Sequence, residues 1–426
     1  MSGQRRLATY IGNTPMQLNI EGKRASAART SINLNLSLIA ACEFLFTATL
    51  AIGNTLLGVV GKTLTNDAHL LTAPYAVMTL FAALTTIGAS ALMHRVGRPK
   101  GFIVGACAAI LSGTCAVGAL WLHSFVTFCA AFGLIGVYKA FAQYYRFAAA
   151  EVVRDGSFAL KSNAVAIVLV GSFGAAVTGP WIAAHVRNLV PALPYAGSFL
   201  AIGLMGILTA ALVSAMGFPR TAARTSISGT RNRAPLQVLL RRPQIVVAIT
   251  GATIGYTVMA VMMVTAPLAV VGYGHPVATA ALIMQFHVAG MYAPSFFTGK
   301  IIGKLGIRPT VLMGGLLLVV ASLVAYCSVT ISAFAAALLL CGIGWNFMYV
   351  GSTVMLTQSC SDEERATAQG ANEFIMFSIV TVASFAAATA LHQYGWHGIQ
   401  IMVTAVVLVA AAVILRVPVR SESHQG

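Results

Sequence analysis

Two methionines four residues apart, Met259 and Met263, are followed by His287 and Met291, again four apart. Residues at that spacing share a helix face, so each pair points two side chains in one direction. Met259 lies about 12 residues before the short connection near 272–277, and His287 about 9 after it. At 1.5 Å per residue the two pairs reach similar depth. Three thioethers and an imidazole suit a soft cation such as Cu(I) far better than a hard one. The competing reading is packing, because the chain holds 16 methionines and methionine readily fills apolar interiors. A lone buried histidine, likewise, often does no more than hydrogen-bond a neighbour.

The elements that must position these residues are membrane-spanning helices. Of 426 residues, 58% are hydrophobic and 8% charged, and the mean hydropathy is +0.84; a soluble domain carries about 25% charged residues. Apolar runs predict twelve spans, roughly 36–60, 71–93, 102–121, 125–147, 164–184, 197–217, 244–271, 278–302, 309–329, 333–357, 369–391 and 397–415. Their lengths fit helices crossing a bilayer, and none shows the alternation of a barrel strand. The predicted fold is an all-α polytopic membrane protein.

The net charge of +16 invites a nucleic-acid reading, but its distribution follows topology. Basic residues gather in the N-terminal tail (Arg5, Arg6, Lys23, Arg24, Arg29) and in alternate connections: Arg95, Arg98 and Lys100; Arg154 and Lys161; Arg220 through Arg242; Lys304 and Arg308. The opposite side holds Lys62 and Arg187. The positive-inside rule then puts both termini in the cytoplasm. No nucleic-acid partner is expected, and membrane lipid is. The tail has no short apolar core of the kind a cleaved signal peptide carries. Seven scattered cysteines form no C-x-x-C pair, so neither a disulfide framework nor a zinc site is predicted. No Walker motif or nucleophile–base–acid constellation is present; the expectation is a carrier with no cofactor and no enzymatic activity.

The expected organisation is a tail (1–35), a six-helix bundle (36–217), a polar linker (218–243), a second bundle (244–415) and a C-terminal tail (416–426). The halves echo one another. LMHRVGRPK (92–100) follows span two and IIGKLGIRP (301–309) follows span eight, with Arg95 matching Lys304 and Gly97 matching Gly306; KSNA (161–164) and QGAN (369–372) follow spans four and ten. Such duplication marks a two-fold transporter architecture.

Over nearly its whole length the sequence resembles the major facilitator superfamily, whose loop between spans two and three reads G-x-x-x-D-R-x-G-R-[RK]. Arg95, Gly97 and Arg98 match; Ser90 and His94 replace the glycine and the aspartate. The Met/His spacing together with TAPLAVVG (265–272), MYAPSFFTG (291–299), GWNFMYVGST (344–353) and EERATAQGANEF (363–374) resembles the CcoA-like transporters, which include bacterial copper importers and the related RfnT-type riboflavin importers.

The resemblance implies a secondary carrier that works by alternating access, with spans one, four, seven and ten lining a central cavity. Charged residues inside spans are costly and default to functional candidates. Glu43 and Lys139 are expected to face each other in the cavity, as a structural ion pair or a substrate or proton-coupling site; Arg146 and Glu373 lie nearer span ends. The copper reading implies Met259, Met263, His287 and Met291 as ligands, although Gly251, Gly255 and Tyr273 stand where copper-type members carry cysteines. The riboflavin reading implies a flat aromatic slot, with Tyr145, Tyr292 and Trp345 stacking and Gln143, Gln285, His287 and Asn346 reading polar edges. Riboflavin import by a monomer is the leading expectation, copper import the alternative, and export of another small organic solute the third.

Overall fold

The computed structural model describes residues 15–152, 158–217 and 236–417; most of the expected linker lies outside them. The first half comprises α1 (Pro15–Leu64), a 3-10 turn (Ala68–Leu70), α2 (Ala73–Val96), α3 (Arg98–Trp121), α4 (Phe125–Ala142), α5 (Tyr145–Val152), α6 (Phe158–His185) and α7 (Ala196–Ser214). The second comprises α8 (Leu236–Leu239), α9 (Pro243–Gly272), α10 (Val277–Tyr292), α11 (Ser295–Leu305), α12 (Ile307–Cys327), α13 (Ile331–Gln358) and α14 (Asp362–Arg416). No strand occurs among the described residues.

Nine of these helices are long and apolar enough to cross a membrane, or ten when the bent pair α10–α11 counts as one span. At 55 residues α14 is far too long for one crossing. It breaks at Gly395, whose φ of 67° and ψ of −175° lie outside the helical region, and so makes two passes. Counting α6 and the two legs of α14 separately, the described residues hold twelve helical segments of membrane-crossing length, six in each half, the number of apolar runs in the sequence. One difference lies at the start: α1 begins at Pro15, well ahead of the apolar run at 36.

The repeat is visible in the caps. Gly97 closes α2 by donating its N–H to the Met93 carbonyl and opens α3, at φ 89°. Gly306 does the same between α11 and α12, donating to Ile302 at φ 90°. A side chain is strained at that φ, so both halves place glycine there. Ser124 caps α4 on the Thr127 N–H, and Thr330 caps α13 on Ala333. The basic connections also do local work. Arg308 donates to the Ile414, Leu415 and Val417 carbonyls, satisfying the C-terminal end of α14. Asn35 makes two hydrogen bonds with the Gly217 backbone, at 3.0 and 3.1 Å, tying α1 to the end of α7.

The halves meet along the ends of their helices farthest from the linker. There the Thr79 and Thr381 hydroxyls bond at 2.9 Å, and the Ala388 N–H donates to Thr72 Oγ1 at 3.3 Å. Leu71, Leu268 and Ala388 form a buried apolar seal beside them. The mouth distal to the linker is therefore closed.

Candidate functional site

Behind that seal lies a cavity between the halves. It is lined by Thr47, Leu50, Ala51 and Asn54 of α1, Tyr75 and Met78 of α2, Lys139 of α4, Tyr256, Met259 and Met263 of α9, and Val288, Met291 and Tyr292 of α10. Its volume of ≈ 50 Å³ holds a few waters, far below the roughly 300–1,000 Å³ of sites that enclose organic ligands. A ring-sized solute has no room in this arrangement.

Lys139, 2% exposed, spans the divide. Its Nζ donates to the Tyr256 hydroxyl at 3.0 Å and lies 4.6 Å from the Phe377 ring centroid and 5.2 Å from that of Tyr256. Both rings belong to the second half, so an ammonium from one half sits in an aromatic cage of the other. The Glu373 carboxylate attracts the same charge, and its Oε1 is 3.5 Å from the Tyr349 hydroxyl. Burial of an ammonium is costly unless such partners compensate it.

Around the cage runs an aromatic wall. Trp345 stacks on Tyr349 with centroids 5.1 Å apart and planes 10° from parallel. Tyr256 meets Trp345, Tyr349 and Phe377 edge-on at 5.7–5.8 Å, and Tyr292 meets Trp345 edge-on at 6.3 Å. Among the described contacts Trp345 Nε1 has no hydrogen-bond partner, leaving a buried donor at the wall. Lys139 and Trp345 are 206 positions apart, the step that also separates the caps Ser124 and Thr330. They are therefore repeat-related, one on α4 and the other on α13.

Glu43 is not directed at Lys139. Its Oε1 accepts a hydrogen bond from Ser172 of α6 at 2.8 Å, and Thr47 bonds Ser172 in turn at 3.2 Å. That chain lies within the first half. Tyr145 is buried against Phe102, centroids 4.7 Å apart, in a cluster away from the cavity. Gln143 closes α4 through its backbone, and Gln285 is half-buried on α10; neither lines the cavity. The side chain of Arg146 lies outside the described residues.

Asn346 is committed to structure. Its Nδ2 donates to the Met291 carbonyl and to Ser295 Oγ, and its Oδ1 accepts from Thr298, each at 2.7 Å. These partners flank the break at Ala293–Pro294, where α10 and α11 bend by 43°. The carbonyl of Met291 loses its helical donor there, because residue 295 lies beyond the bend, and Asn346 satisfies it.

Three of the Met/His residues behave alike and the fourth does not. Met259, Met263 and Met291 line the cavity, and Asn54 Nδ2 approaches Met263 Sδ at 3.8 Å. His287 is fully buried, with Nδ1 bonded to the Leu338 carbonyl of α13 at 2.9 Å. It does not line the cavity, and its Nε2 has no partner among the described contacts. Gly251 and Gly255 pack α9 on α13: a Cβ would stand 2.9 Å from that of Met348 at Gly255, and closer still to the Ser352 hydroxyl at Gly251. A thiol has no room at either position.

Sequence reasoning missed Tyr256, Phe377 and the inward role of Glu373. Spacing carried a signal for two of them. Tyr256 precedes Met259 by three residues and Phe377 follows Glu373 by four, so each shares a face with a residue already singled out.

Comparison with known proteins agrees with this architecture. The Major Facilitator Superfamily model matches residues 38–384 and 295–426. The chain is 36% identical to Riboflavin transporter RfnT of Brucella anthropi over 360 residues, covering 84% of this chain and 89% of that one. It is 25% identical to the MFS-type transporter YdeG of Bacillus subtilis over 338 residues, 76% and 77% of the two chains. In fold it resembles the crystal structure of a mutant nucleoside transporter NupG, with a TM-score of 0.66 at 12% identity, over 89% of this chain and 99% of that one. The chain belongs to the Major Facilitator Superfamily, related to the RfnT-type proteins, and is a multi-pass membrane transporter of a small molecule rather than an enzyme.

Proposed function

We propose that the protein imports riboflavin across the bacterial cytoplasmic membrane, with both termini inside, by alternating access between its two halves. The observation that carries this reading is the aromatic cluster in which Tyr256 and Tyr292 line the cavity and Trp345 and Tyr349 pack behind them. A flat tricyclic ring gains from stacking on such rings, and polar groups at the same cavity, Asn54, Thr47 and Lys139, suit its carbonyl edge and ribityl hydroxyls. The 36% identical relative named as a riboflavin transporter supports the same substrate. Site occupancy would draw Lys139 off Tyr256 and part the halves, because a substrate shifts the equilibrium only through better contacts in one state than the other.

Copper remains the second reading, because three thioethers line the cavity. Burial of His287 against α13 and the lack of room for thiols at Gly251 and Gly255 weigh against it. The test is uptake of labelled riboflavin, and in parallel of labelled copper, by a riboflavin-requiring bacterium expressing the chain. Riboflavin uptake lost on Trp345→Ala but kept in Met259→Leu supports the proposal. Copper uptake without riboflavin uptake overturns it.

A further inference from the structure

The distal mouth carries a histidine from each half. His69 stands in the 3-10 turn between α1 and α2, His392 on the first leg of α14, and their ring centroids are 4.9 Å apart with planes at 57°. Both side chains are exposed. His69 Nδ1 lies 3.2 Å from Thr389 Oγ1, and its backbone N–H donates to Asp67 Oδ1 at 2.9 Å, which fixes the turn. With Nδ1–H donating to Thr389, the Nε2 lone pair of His69 is left for another partner. A hydrogen bond on one ring nitrogen that sets the tautomer of the other is the usual support of a metal-binding imidazole.

From this geometry we infer that His69 and His392 form a binding site for a divalent transition-metal ion of the zinc class, bridging the two halves at the distal mouth. A tetrahedral ion with Zn–N bonds of about 2.1 Å holds two imidazole centroids roughly 5 Å apart, which is the separation found. Among the described residues no third His, Cys, Asp or Glu joins the pair, so water completes the coordination and the ion exchanges freely. Imidazole nitrogen suits zinc, copper or nickel and not calcium or magnesium.

The site exists only while the mouth is closed. His69 and His392 belong to halves that separate when it opens, and the Thr72–Ala388 and Thr79–Thr381 contacts beneath them part in the same motion. An ion held by both rings therefore favours the closed-mouth state and opposes turnover. The inhibitory effect rests on the alternating-access proposal; the site itself does not.

The test uses the purified full-length protein, titrated with Zn²⁺ in competition with a chromophoric chelator, beside His69→Gln, His392→Ala and the double variant. His69→Gln keeps a donor near Thr389 and removes the ligand, and thermal unfolding without zinc checks that each variant is folded. One Zn²⁺ per chain, lost equally in either single variant and no further in the double, is the expected result. In cells, external Zn²⁺ is expected to cut uptake of labelled riboflavin about 5-fold or more, reversibly with chelator, in wild type and in neither variant. Zinc binding that survives in the double variant, or that needs only one of the two histidines, overturns the site. Zinc bound through both rings with uptake unchanged overturns the gate role. Cells that take up no riboflavin at all would refute the substrate proposal while leaving the titration to decide this one.

Discussion

The Nζ of Lys139 and the hydroxyl of Tyr256, 3.0 Å apart, form a hydrogen bond between the two halves at the wall of the central cavity. A hydrogen bond from a charged group contributes about 1.5–3 kcal/mol, and this one exists only while α4 and α9 stay together. It stabilises the closed-mouth arrangement, and under the alternating-access proposal it breaks or lengthens as the cavity widens.

Tyr256→Phe removes the hydroxyl and keeps the ring beneath the ammonium. Thermal unfolding of the purified variant should fall by an amount consistent with roughly 1.5–3 kcal/mol, while riboflavin uptake is retained. Lys139→Ala should be far worse, because it leaves the Glu373 carboxylate without the cation that attracts it; losing one member of a buried charged set costs about 3–5 kcal/mol. Equal loss of stability in the two variants would show that neither the attraction to Glu373 nor the cation–ring contacts contribute.

Asn346→Leu conserves volume and deletes three hydrogen bonds at the α10–α11 break. An unsatisfied buried polar group costs about 1–3 kcal/mol, and the Met291 carbonyl would be one. Stability should fall markedly, and the apparent KM for riboflavin of the folded fraction should stay near wild type. A large rise in KM with unchanged stability would instead make Asn346 a substrate contact.

Much of the architecture was legible in the sequence because it follows from solvent alone. The apolar runs and the matched loops around Gly97 and Gly306 express the cost of exposing polar groups to lipid and of a side chain at positive φ. The site was legible only in part. The spacing of Met259, Met263 and Met291 placed all three on the cavity wall, but a four-residue step leaves neighbours about 40° apart around the helix. That offset suffices to turn His287 into α13 while Met291 faces the cavity. Glu43 and Lys139 lie on helices expected to meet, yet partner choice depends on side-chain reach. Ser172 takes the short carboxylate within its own half, and the long lysine crosses to Tyr256. Asn346 was read as free to meet a substrate because nothing in a linear sequence shows that its amide reaches the Met291 carbonyl, which the bend at Pro294 separates from the N–H of residue 295.

Met259→Leu and Met263→Leu separate a wall from a ligand. Volume-conserving swaps cost less than about 1.5 kcal/mol in a packed interior, so riboflavin uptake should remain within a few-fold of wild type in each. A soft-metal site would lose a donor and its uptake with it. Copper uptake by wild type that both leucine variants abolish, with protein levels unchanged, would favour the copper reading.

Glu364 gives a prediction about pH. At the linker end of the second half Arg242 donates to both Glu364 oxygens, at 2.8 and 2.7 Å, and to the Ser359 carbonyl at 3.3 Å. Glu364 also accepts from the Ser361 N–H, completing the cap of α14. The hydrogen bonds from Arg242, helped by Ser361, push the Glu364 carboxyl down from 4.5 to about 2. A carboxyl depressed on folding stabilises the native state above its unfolded value, and that contribution fades only as pH falls through the folded value. The window is thus about 4.5 down to about 2. The stability difference between wild type and Glu364→Gln, measured by thermal unfolding, should stay constant from roughly pH 8 to pH 5 and shrink only below about pH 4.5. It should be small, because the pair is partly exposed, with the arginine 40% accessible. A difference that collapsed between pH 8 and 6 would contradict the assignment. Any pH dependence of transport in the neutral range must then come from groups other than this pair.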